Sequence, residues 1–455
     1  MLRFFRTTTA AVFCLLPLQA FAQTPTDTTL AAVGGLVPVT ALENTPEGQS
    51  ALKANFKVTG AIQDGSARQP LLLPWPDAQK QALKDAYITF TNANELADAL
   101  GSKLGGAYRA ATACTKPETG KPSKCADLSP AVAKVIGYAV LTAEHDAGVG
   151  KFFFANATTD GRTPAPPEAM KAMSAVGGKP DMFGRAYNLP AGSPNANPFG
   201  NSRPFQTEPH LTPIEGPDFF GAPSTNMAYL RGPEQDLTKS PSYPSGHTTY
   251  GYTESLILAL LAPERYPQMV VRAAEYGNSR IVVGAHYAMD VLSGRTVALY
   301  DLAQMLANKP GYVGVERHQL KIDDFRAAVA EARAEFAKTL AAPCGGPVAG
   351  CMSEDSSRFA DAATNEAFYN STQTYDLGIV FKPNADKKEE VAKLAPEAGY
   401  LLTVAYPKLT LEQANRILTE TEGPGGGFLD NGSAFGVYSR LDLYHAALKA
   451  AALGR

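Results

Sequence analysis

The chain has 455 residues and a formal net charge of −3; 45% of the residues are hydrophobic and 19% are charged. This apolar content is sufficient for a large core, in one large domain or two. A mildly acidic chain without a basic stripe is a poor candidate for nucleic-acid binding, so no nucleic-acid partner is expected.

The N-terminus has the pattern of a secretory signal peptide over residues 1–22. Arg3 and Arg6 precede an apolar run that ends in a small-x-small cleavage site at residues 20–22. A permanent membrane anchor is the alternative, but the run is too short for one. No later segment has about 18 consecutive apolar residues, so no integral membrane segment is expected after cleavage. The sequence therefore predicts a periplasmic or secreted protein.

Helical periodicity dominates the rest of the chain and strand-like alternation is scarce, which predicts a mainly α fold. Residues 23–76 are rich in Thr, Gly, Pro and Ala without a strong period, and an extended N-terminal arm is expected there. A catalytic helical domain is predicted over residues 77–310 and a helical C-terminal extension over 311–455. Residues 177–241 lack regular periodicity, and so long a loop is usually functional. The most distinct predicted helices cover residues 247–261, 263–276, 285–308 and 323–340.

Four cysteines remain once the signal peptide is removed. They form two pairs that are close in sequence, in loops rich in Pro, Gly and Lys. In an oxidising compartment this proximity favours two local disulfides, Cys114–Cys125 and Cys344–Cys351. Zinc binding is the alternative, but no C-x-x-C spacing is present and no histidine flanks either pair.

His286 and Asp290 are spaced i and i+4 in a predicted helix, which places both on one face. A carboxylate there can accept a hydrogen bond from one imidazole nitrogen and leave the other nitrogen free to attack. It also stabilises the cation that attack produces. Alone, such a pair could equally lie on a helix surface or form half of a metal site.

A second motif, Pro244-Ser245-Gly246-His247, opens a predicted helix. Ser245 stands at the N-cap position, so Gly246 and His247 fall in the first turn. Free backbone N–H groups and the positive end of the helix dipole meet there and favour a phosphate oxygen. Arg280 can supply two further donors in a planar fork. The two motifs together are too specific to arise readily by chance.

Together these motifs resemble the second and third motifs of the type 2 phosphatidic-acid-phosphatase superfamily. The surrounding sequence is most similar to the bacterial class A non-specific acid phosphatases, and vanadium-dependent haloperoxidases belong to the same superfamily. The resemblance implies an all-helical bundle that hydrolyses small phosphomonoesters without a metal ion or other cofactor.

The resemblance also implies a role for each residue of the two motifs. His286 would be the nucleophile, Asp290 its partner, and His247 the general acid that protonates the leaving alkoxide. The implied phosphate-binding groups are Arg203, Ser245, Gly246 and Arg280.

The superfamily's first motif, a Lys six residues ahead of Arg-Pro, is matched only in part. Arg203 and the following proline fit its end, but Ala196 occupies the Lys position and cannot bind phosphate. Residues 190–202 look like an insertion within the motif. Arg185, which lies before the insertion, is the first candidate to replace the Lys as a phosphate-binding group, and Lys179 is the second.

Three alternatives to an acid phosphatase stay open. In a vanadium-dependent haloperoxidase, His286 would ligate vanadate in the position of phosphate. A lipid phosphate phosphatase at the outer face of the inner membrane would use the same residues. A binding protein without catalytic activity is favoured only by the altered Lys position. No sequence feature indicates an oligomeric state.

Overall fold

The computed structural model of the protein describes residues 27–67, 71–87, 89, 92–116, 124–208, 210–229 and 236–453. The predicted signal peptide lies outside these ranges. Within them the chain is mainly helical, which confirms the predicted fold class. None of the described helices combines the length and the apolar character that a membrane span requires.

The helices are numbered in chain order. They are α1 (Asp27–Leu36), α2 (Pro46–Gln63), α3 (Trp75–Lys84), α4 (Ser102–Ala111), α5 (Pro130–Asn156), α6 (Pro167–Ala175), α7 (Met182–Ala186), α8 (Pro204–Thr207), α9 (Gly246–Leu261), α10 (Tyr266–Val282), α11 (Ala288–Leu306), α12 (Phe325–Cys344), α13 (Val348–Met352), α14 (Ala362–Thr374), α15 (Lys382–Ala385), α16 (Val391–Leu394), α17 (Tyr400–Thr403), α18 (Leu411–Glu420), α19 (Ala434–Tyr438) and α20 (Leu443–Leu453).

Short 3₁₀ helices and hairpins connect these elements. The 3₁₀ helices cover Val37–Asn44, Asn94–Leu100, Pro263–Arg265 and Pro396–Gly399. The described strands pair as antiparallel two-stranded hairpins, which are β1 (Cys114–Thr115) with β2 (Lys124–Cys125), β3 (Glu215–Pro217) with β4 (Pro223–Thr225), and β5 (Glu316–Arg317) with β6 (Leu320–Lys321).

The centre of the molecule is formed by α5, α9, α10 and α11, which pack against one another. Almost every residue of α9 is buried. A helix buried on all sides belongs inside a bundle rather than at its surface. The predicted helix over residues 247–261 is confirmed by α9, whereas the helix predicted over 285–308 begins later, at Ala288.

The expected extended arm over residues 23–76 is helical instead in its described part. α1 and α2, joined by a 3₁₀ helix, occupy residues 27–63. Thr45 caps α2 by accepting a hydrogen bond from the Gly48 N–H at 2.9 Å. The Gly and Thr content gives these short helices little intrinsic propensity, so tertiary packing against α5 and α11 stabilises them. Burial on several sides also explains why the sequence shows no one-sided apolar stripe.

The C-terminal residues pack on the same bundle. α12 contacts α5 and α9, whereas α14 and α20 contact α10. Residues from both sides of the predicted boundary at 310 and 311 contribute to one buried apolar cluster. Both predicted disulfides, Cys114–Cys125 and Cys344–Cys351, are present.

Candidate active site

The N-terminus of α9 has the predicted cap. Ser245 Oγ accepts hydrogen bonds from the Thr248 N–H at 3.2 Å and from the Thr248 hydroxyl at 2.9 Å. Gly246 and His247 therefore occupy the first turn, where backbone N–H groups have no partner within the helix. The Ser245 N–H donates to the Asp290 carbonyl at 3.0 Å, which ties this turn to the start of α11.

The i, i+4 interpretation assumed that His286 lies within a helix. In the structure it lies just before α11. Its contact with Asp290 forms nevertheless, since His286 Nδ1 is 3.3 Å from Asp290 Oδ2. The same carboxylate oxygen accepts hydrogen bonds from the Ser242 hydroxyl and from the Tyr287 N–H, the latter at 2.9 Å. Asp290 is thus held by two segments of the chain, the one before α9 and the one before α11.

Arg203 is almost completely buried, and its guanidinium is held by backbone and side-chain oxygens. Its Nε donates to the Ser240 carbonyl at 2.7 Å and its Nη2 donates to Ser240 Oγ at 3.0 Å. A further bond from Nη2 reaches the Pro241 carbonyl at 3.2 Å, and Nη1 donates to the Ala285 carbonyl at 3.0 Å. Nη1 also lies 2.9 Å from Nε2 of His286.

This last contact assigns the tautomer of His286. Because a guanidinium has donors only, Nε2 must accept, and the ring proton of the neutral imidazole sits on Nδ1, facing Asp290. Burial of the ring and the nearby charge of Arg203 hold the pKa of His286 well below its ordinary value. The free site therefore presents a neutral imidazole whose Nε2 lone pair points at a cation.

Burial has the opposite consequence for the carboxylate. It raises the pKa of Asp290 to about 6, although the hydrogen bonds from Ser242 and Tyr287 act in the lowering direction. Oδ1 of Asp290 is buried and has no hydrogen-bond partner within the described part of the chain. Asp290 is consequently ionised only above mildly acidic pH.

Arg280, near the end of α10, lies between α3 and the site. Its Nη2 donates to the Ala82 carbonyl at 3.2 Å, and its guanidinium lies over the Tyr276 ring at 5.2 Å from the centroid. Its Nε is buried and has no hydrogen-bond partner among the described residues. A buried cationic donor without a partner is suited to binding an anion.

α5 contributes Lys151, a residue that the sequence analysis did not single out. Its Nζ donates to the Pro241 carbonyl at 3.0 Å. A Cβ on Gly246 would lie 3.3 Å from the Lys151 Cε, so the glycine leaves the space that this side chain uses. Burial and the neighbouring Arg203 hold the pKa of Lys151 well below its ordinary value. Lys151 is therefore a further nitrogen donor at the site, beside the guanidinium groups of Arg203 and Arg280.

Arg185, the predicted replacement for the first-motif Lys, is not brought into this cluster. Its guanidinium pairs with Glu43 at 3.2 Å and donates to the Lys179 carbonyl at 3.1 Å. The Lys179 side chain is exposed. The sequence does contain a signal for Lys151, because this lysine lies within the apolar run Val149–Phe154. The 177–241 loop separates it in sequence from the two motifs, so the motifs do not point to it.

The arrangement can hold a tetrahedral anion between two imidazoles. The His247 and His286 rings are 6.1 Å apart between centroids, with Arg203 and Arg280 beside them. A cavity reaches this point and contains both His247 and Arg280 in its wall. Across the described ranges, no three His, Cys, Asp or Glu side chains gather as a set of metal ligands.

Comparison with known families assigns this part of the chain. Residues 197–305 match the PAP2 superfamily. This segment is a PAP2 domain. It includes Arg203, His247, Arg280, His286 and Asp290, so the resemblance inferred from the motifs is confirmed.

Curated relatives of the PAP2 domain are named acid phosphatases. The chain is 43% identical over 72 residues to the non-specific acid phosphatase of Salmonella typhimurium, which covers 16% of this chain and 29% of the relative. It is 32% identical over 121 residues to the non-specific acid phosphatase of Providencia stuartii, covering 26% and 41%. It is 44% identical over 71 residues to the acid phosphatase of Zymomonas mobilis, covering 16% and 27%. The chain thus spans less than half the length of these relatives.

Proposed function

We propose that the protein is an exported acid phosphatase that hydrolyses phosphomonoesters through a phosphohistidine on His286, without a metal ion. The observation that carries the proposal is the 2.9 Å contact between Arg203 Nη1 and His286 Nε2. In this contact the lone pair of the proposed nucleophile faces the cation that we propose binds phosphate. The names of the curated relatives support the same activity.

In the first step, the phosphoryl oxygens bind the cations of the site together with the Ser245 hydroxyl and the Gly246 N–H. Nε2 of His286 attacks phosphorus, so a P–N bond forms while the P–O bond to the alcohol breaks. His247, protonated, gives its proton to the leaving oxygen. Asp290 stabilises the imidazolium that results. Fixed positive charge on the equatorial oxygens lowers the barrier.

In the second step, water attacks the phosphohistidine on the side from which the alcohol has left. His247, now neutral, accepts a proton from this water, and the P–N bond breaks to release phosphate. Nε2 of His286 recovers its lone pair and the contact with Arg203 can form again. No residue other than those of the described site is needed for either step.

Lys151 is assigned the phosphate-binding role that was expected for Arg185. It lies against Gly246, and its ammonium is close enough to Arg203, Asp290 and His286 to act on them electrostatically. The low pKa of Lys151 in the free site follows from burial among other cations. A bound phosphate dianion supplies the missing negative charge and restores the ammonium form.

Export is proposed from the pattern over residues 1–22 together with the two disulfides. Disulfides persist in oxidising compartments such as the bacterial periplasm. Cell fractionation tests this part directly. A full-length chain that is processed near residue 22 and recovered outside the cytoplasm is expected, and an unprocessed cytoplasmic chain would refute export.

Activity is tested by measuring the hydrolysis of p-nitrophenyl phosphate in the presence of EDTA, for the wild-type protein and for the His286→Ala variant. EDTA-resistant hydrolysis that disappears in the variant is expected. A wild-type protein without phosphatase activity, but with peroxide-dependent bromination after vanadate loading, would replace the proposal by a haloperoxidase.

A further inference from the structure

The cavity at the candidate active site has a wall that the proposed chemistry does not use. His247 and Arg280 line it, and the leaving oxygen of a substrate would lie beside His247. Except for the amide of Asn226, the other described residues of the wall are apolar or aromatic. They are Ala86, Ala228, Tyr229, Leu237, Val283 and Ala285.

The polar groups of this wall are already engaged in holding the fold. Asn226 is 2% exposed; its Nδ2 donates to the Thr212 carbonyl at 3.1 Å and its Oδ1 accepts from the Ile214 N–H at 2.9 Å. The Tyr229 hydroxyl points to Met227 Sδ at 3.2 Å. Within the described wall, the remaining polar side chains are those of His247 and Arg280, which belong to the proposed catalytic site.

Aromatic side chains support this wall from behind and beside it. The Tyr229 ring stacks on Phe205 with centroids 3.7 Å apart and planes inclined by 10°. Ala86 is followed by Tyr87, whose ring stacks on Phe219 at 4.9 Å. These stacked pairs add aromatic surface next to the apolar side chains of the wall.

We propose that the preferred substrates are phosphomonoesters whose alcohol has an apolar body, and that Tyr229 and Leu237 select for it. This inference rests on the proposed phosphatase function of the same site. The phosphoryl group binds the cations, and the alcohol leaves past His247 along the apolar wall. The apolar body of the alcohol can be an aromatic ring or an aliphatic chain, because both are apolar.

The physical basis is a difference in desolvation. An apolar body gains free energy by leaving water for this wall. A polyol loses hydrogen bonds to water that the described apolar side chains of the wall cannot replace, and such a loss discriminates strongly between substrates. The selection is therefore expected to act against polar alcohols as much as in favour of apolar ones.

Binding of non-hydrolysable phosphonates tests this inference separately from turnover. We would measure Kd by calorimetry for ethylphosphonate, 2-phenylethylphosphonate and hexylphosphonate, and kcat/KM for the corresponding phosphate esters and glycerol 3-phosphate. These are all primary alkyl esters, so their leaving groups differ mainly in body rather than in reactivity. The larger apolar bodies are expected to improve Kd and kcat/KM at least about tenfold over ethyl.

Tyr229→Ala and Leu237→Ser should reduce the ratio between the large and the ethyl ligands towards one. Ile379→Ser is the matched control, because Ile379 is an exposed apolar side chain, 49% accessible, that does not line the cavity; it should leave the ratio unchanged. Comparison of the 2-phenylethyl and hexyl ligands shows whether an aromatic ring or an aliphatic chain is preferred.

Equal Kd values for the three phosphonates, or a preference for glycerol 3-phosphate, would overturn the inference. Hydrolysis without such a preference would leave the phosphatase proposal intact. Phosphonate binding with the predicted preference, but without hydrolysis of any ester, would instead contradict the phosphatase proposal. A protein that neither binds the phosphonates nor hydrolyses the esters would contradict both.

Discussion

Nε2 of His286, the proposed nucleophile, is in contact with Arg203. In the proposed reaction, a phosphoryl group that reaches Nε2 would displace this contact and bring its oxygens close to the same guanidinium. Arg203 cannot withdraw far, because backbone carbonyls hold it at Ser240, Pro241 and Ala285. In the proposed reaction, Arg203 would therefore both contact the incoming phosphoryl group and limit the direction of its approach.

Replacement of Lys151 tests the residue that sequence analysis missed. Lys151→Met should lower kcat/KM for phosphomonoesters about 10²-fold, since one fixed donor to the developing charge is lost. Steady-state kinetics measures the effect. Arg185→Met is the control and should stay within about twofold of wild type, because it removes a partly exposed ion pair with Glu43. A larger loss in the Arg185 variant than in the Lys151 variant would reverse the assignment.

The pH dependence of activity is expected to have an acidic limb near pH 6. Burial raises the pKa of Asp290 to about 6, and only the ionised form can orient and stabilise the imidazole of His286. The rate should therefore rise with pH through this range and fall again as His247 loses its proton.

The variant Asp290→Asn tests whether Asp290 is the group that produces the acidic limb of the pH profile. It should cost about 10⁴-fold in kcat, the order found when the carboxylate that orients a catalytic histidine is replaced. The slope of log kcat/KM on the acidic side should also drop by about one, whatever the ionisation of the substrate contributes. An unchanged slope in the variant would show that another group titrates there.

At the scale of elements, the site depends on how closely α9 and α11 approach. A Cβ at Gly294 of α11 would lie 2.4 Å from the Ser245 carbonyl oxygen and 3.0 Å from the Thr248 Cβ. The glycine thus permits the contact that joins the N-terminus of α9 to the segment carrying His286. A side chain at this position must push the first turn of α9, and His247 with it, away from α11 and His286.

Gly294→Ala should lower the free energy of unfolding by about 1–3 kcal/mol, the usual cost of overpacking, and should lower kcat as well. Denaturant unfolding and kinetics measure the two effects. Gly106→Ala is the control, because a Cβ there meets no atom within 4 Å and α4 gains a better helix former. If both variants behaved alike, the close approach would not explain the glycine.

The elements also show what could be predicted from the sequence. The start of α9 and the residues His247, Arg280, His286 and Asp290 follow from local motifs, because caps and short spacings are local properties. Lys151 could not be predicted in this way, since α5 and the PAP2 segment meet only in three dimensions. α1 and α2 were missed for a related reason. Their burial against other helices stabilises them, and their composition gives no periodic signal.

At the scale of the whole molecule, two pairs of buried carboxyl groups lie in the bundle. Asp146 of α5 is close to Asp301 of α11, and Glu95 is close to Glu254 of α9. Burial raises the pKa of each, and in the case of Asp146 to about 6. Carboxyl groups with a raised pKa in the folded state stabilise it below their unfolded pKa, and this contribution is lost as pH rises through the folded value.

The Asp146–Asp301 pair should therefore contribute a loss of stability of at least about 1 kcal/mol between about pH 5 and pH 8. Asp301→Asn should flatten this dependence, because one of the two interacting carboxyl groups is gone. Thermal unfolding of both proteins across the range measures it. A wild-type protein that gains stability towards pH 8, with no difference from the variant, would show that the pair is not protonated in the folded state.

The measurement that tests the central claim most directly is trapping of the phosphorylated enzyme. The protein is mixed with radiolabelled p-nitrophenyl phosphate, quenched in alkali, in which phosphohistidine survives, and mapped by peptide. Label is expected on the peptide that contains His286. It should be absent in His286→Ala and should accumulate in His247→Ala, because this leaving group needs no proton whereas the water step needs a base. Hydrolysis without label on His286, or label on another residue, would contradict the account.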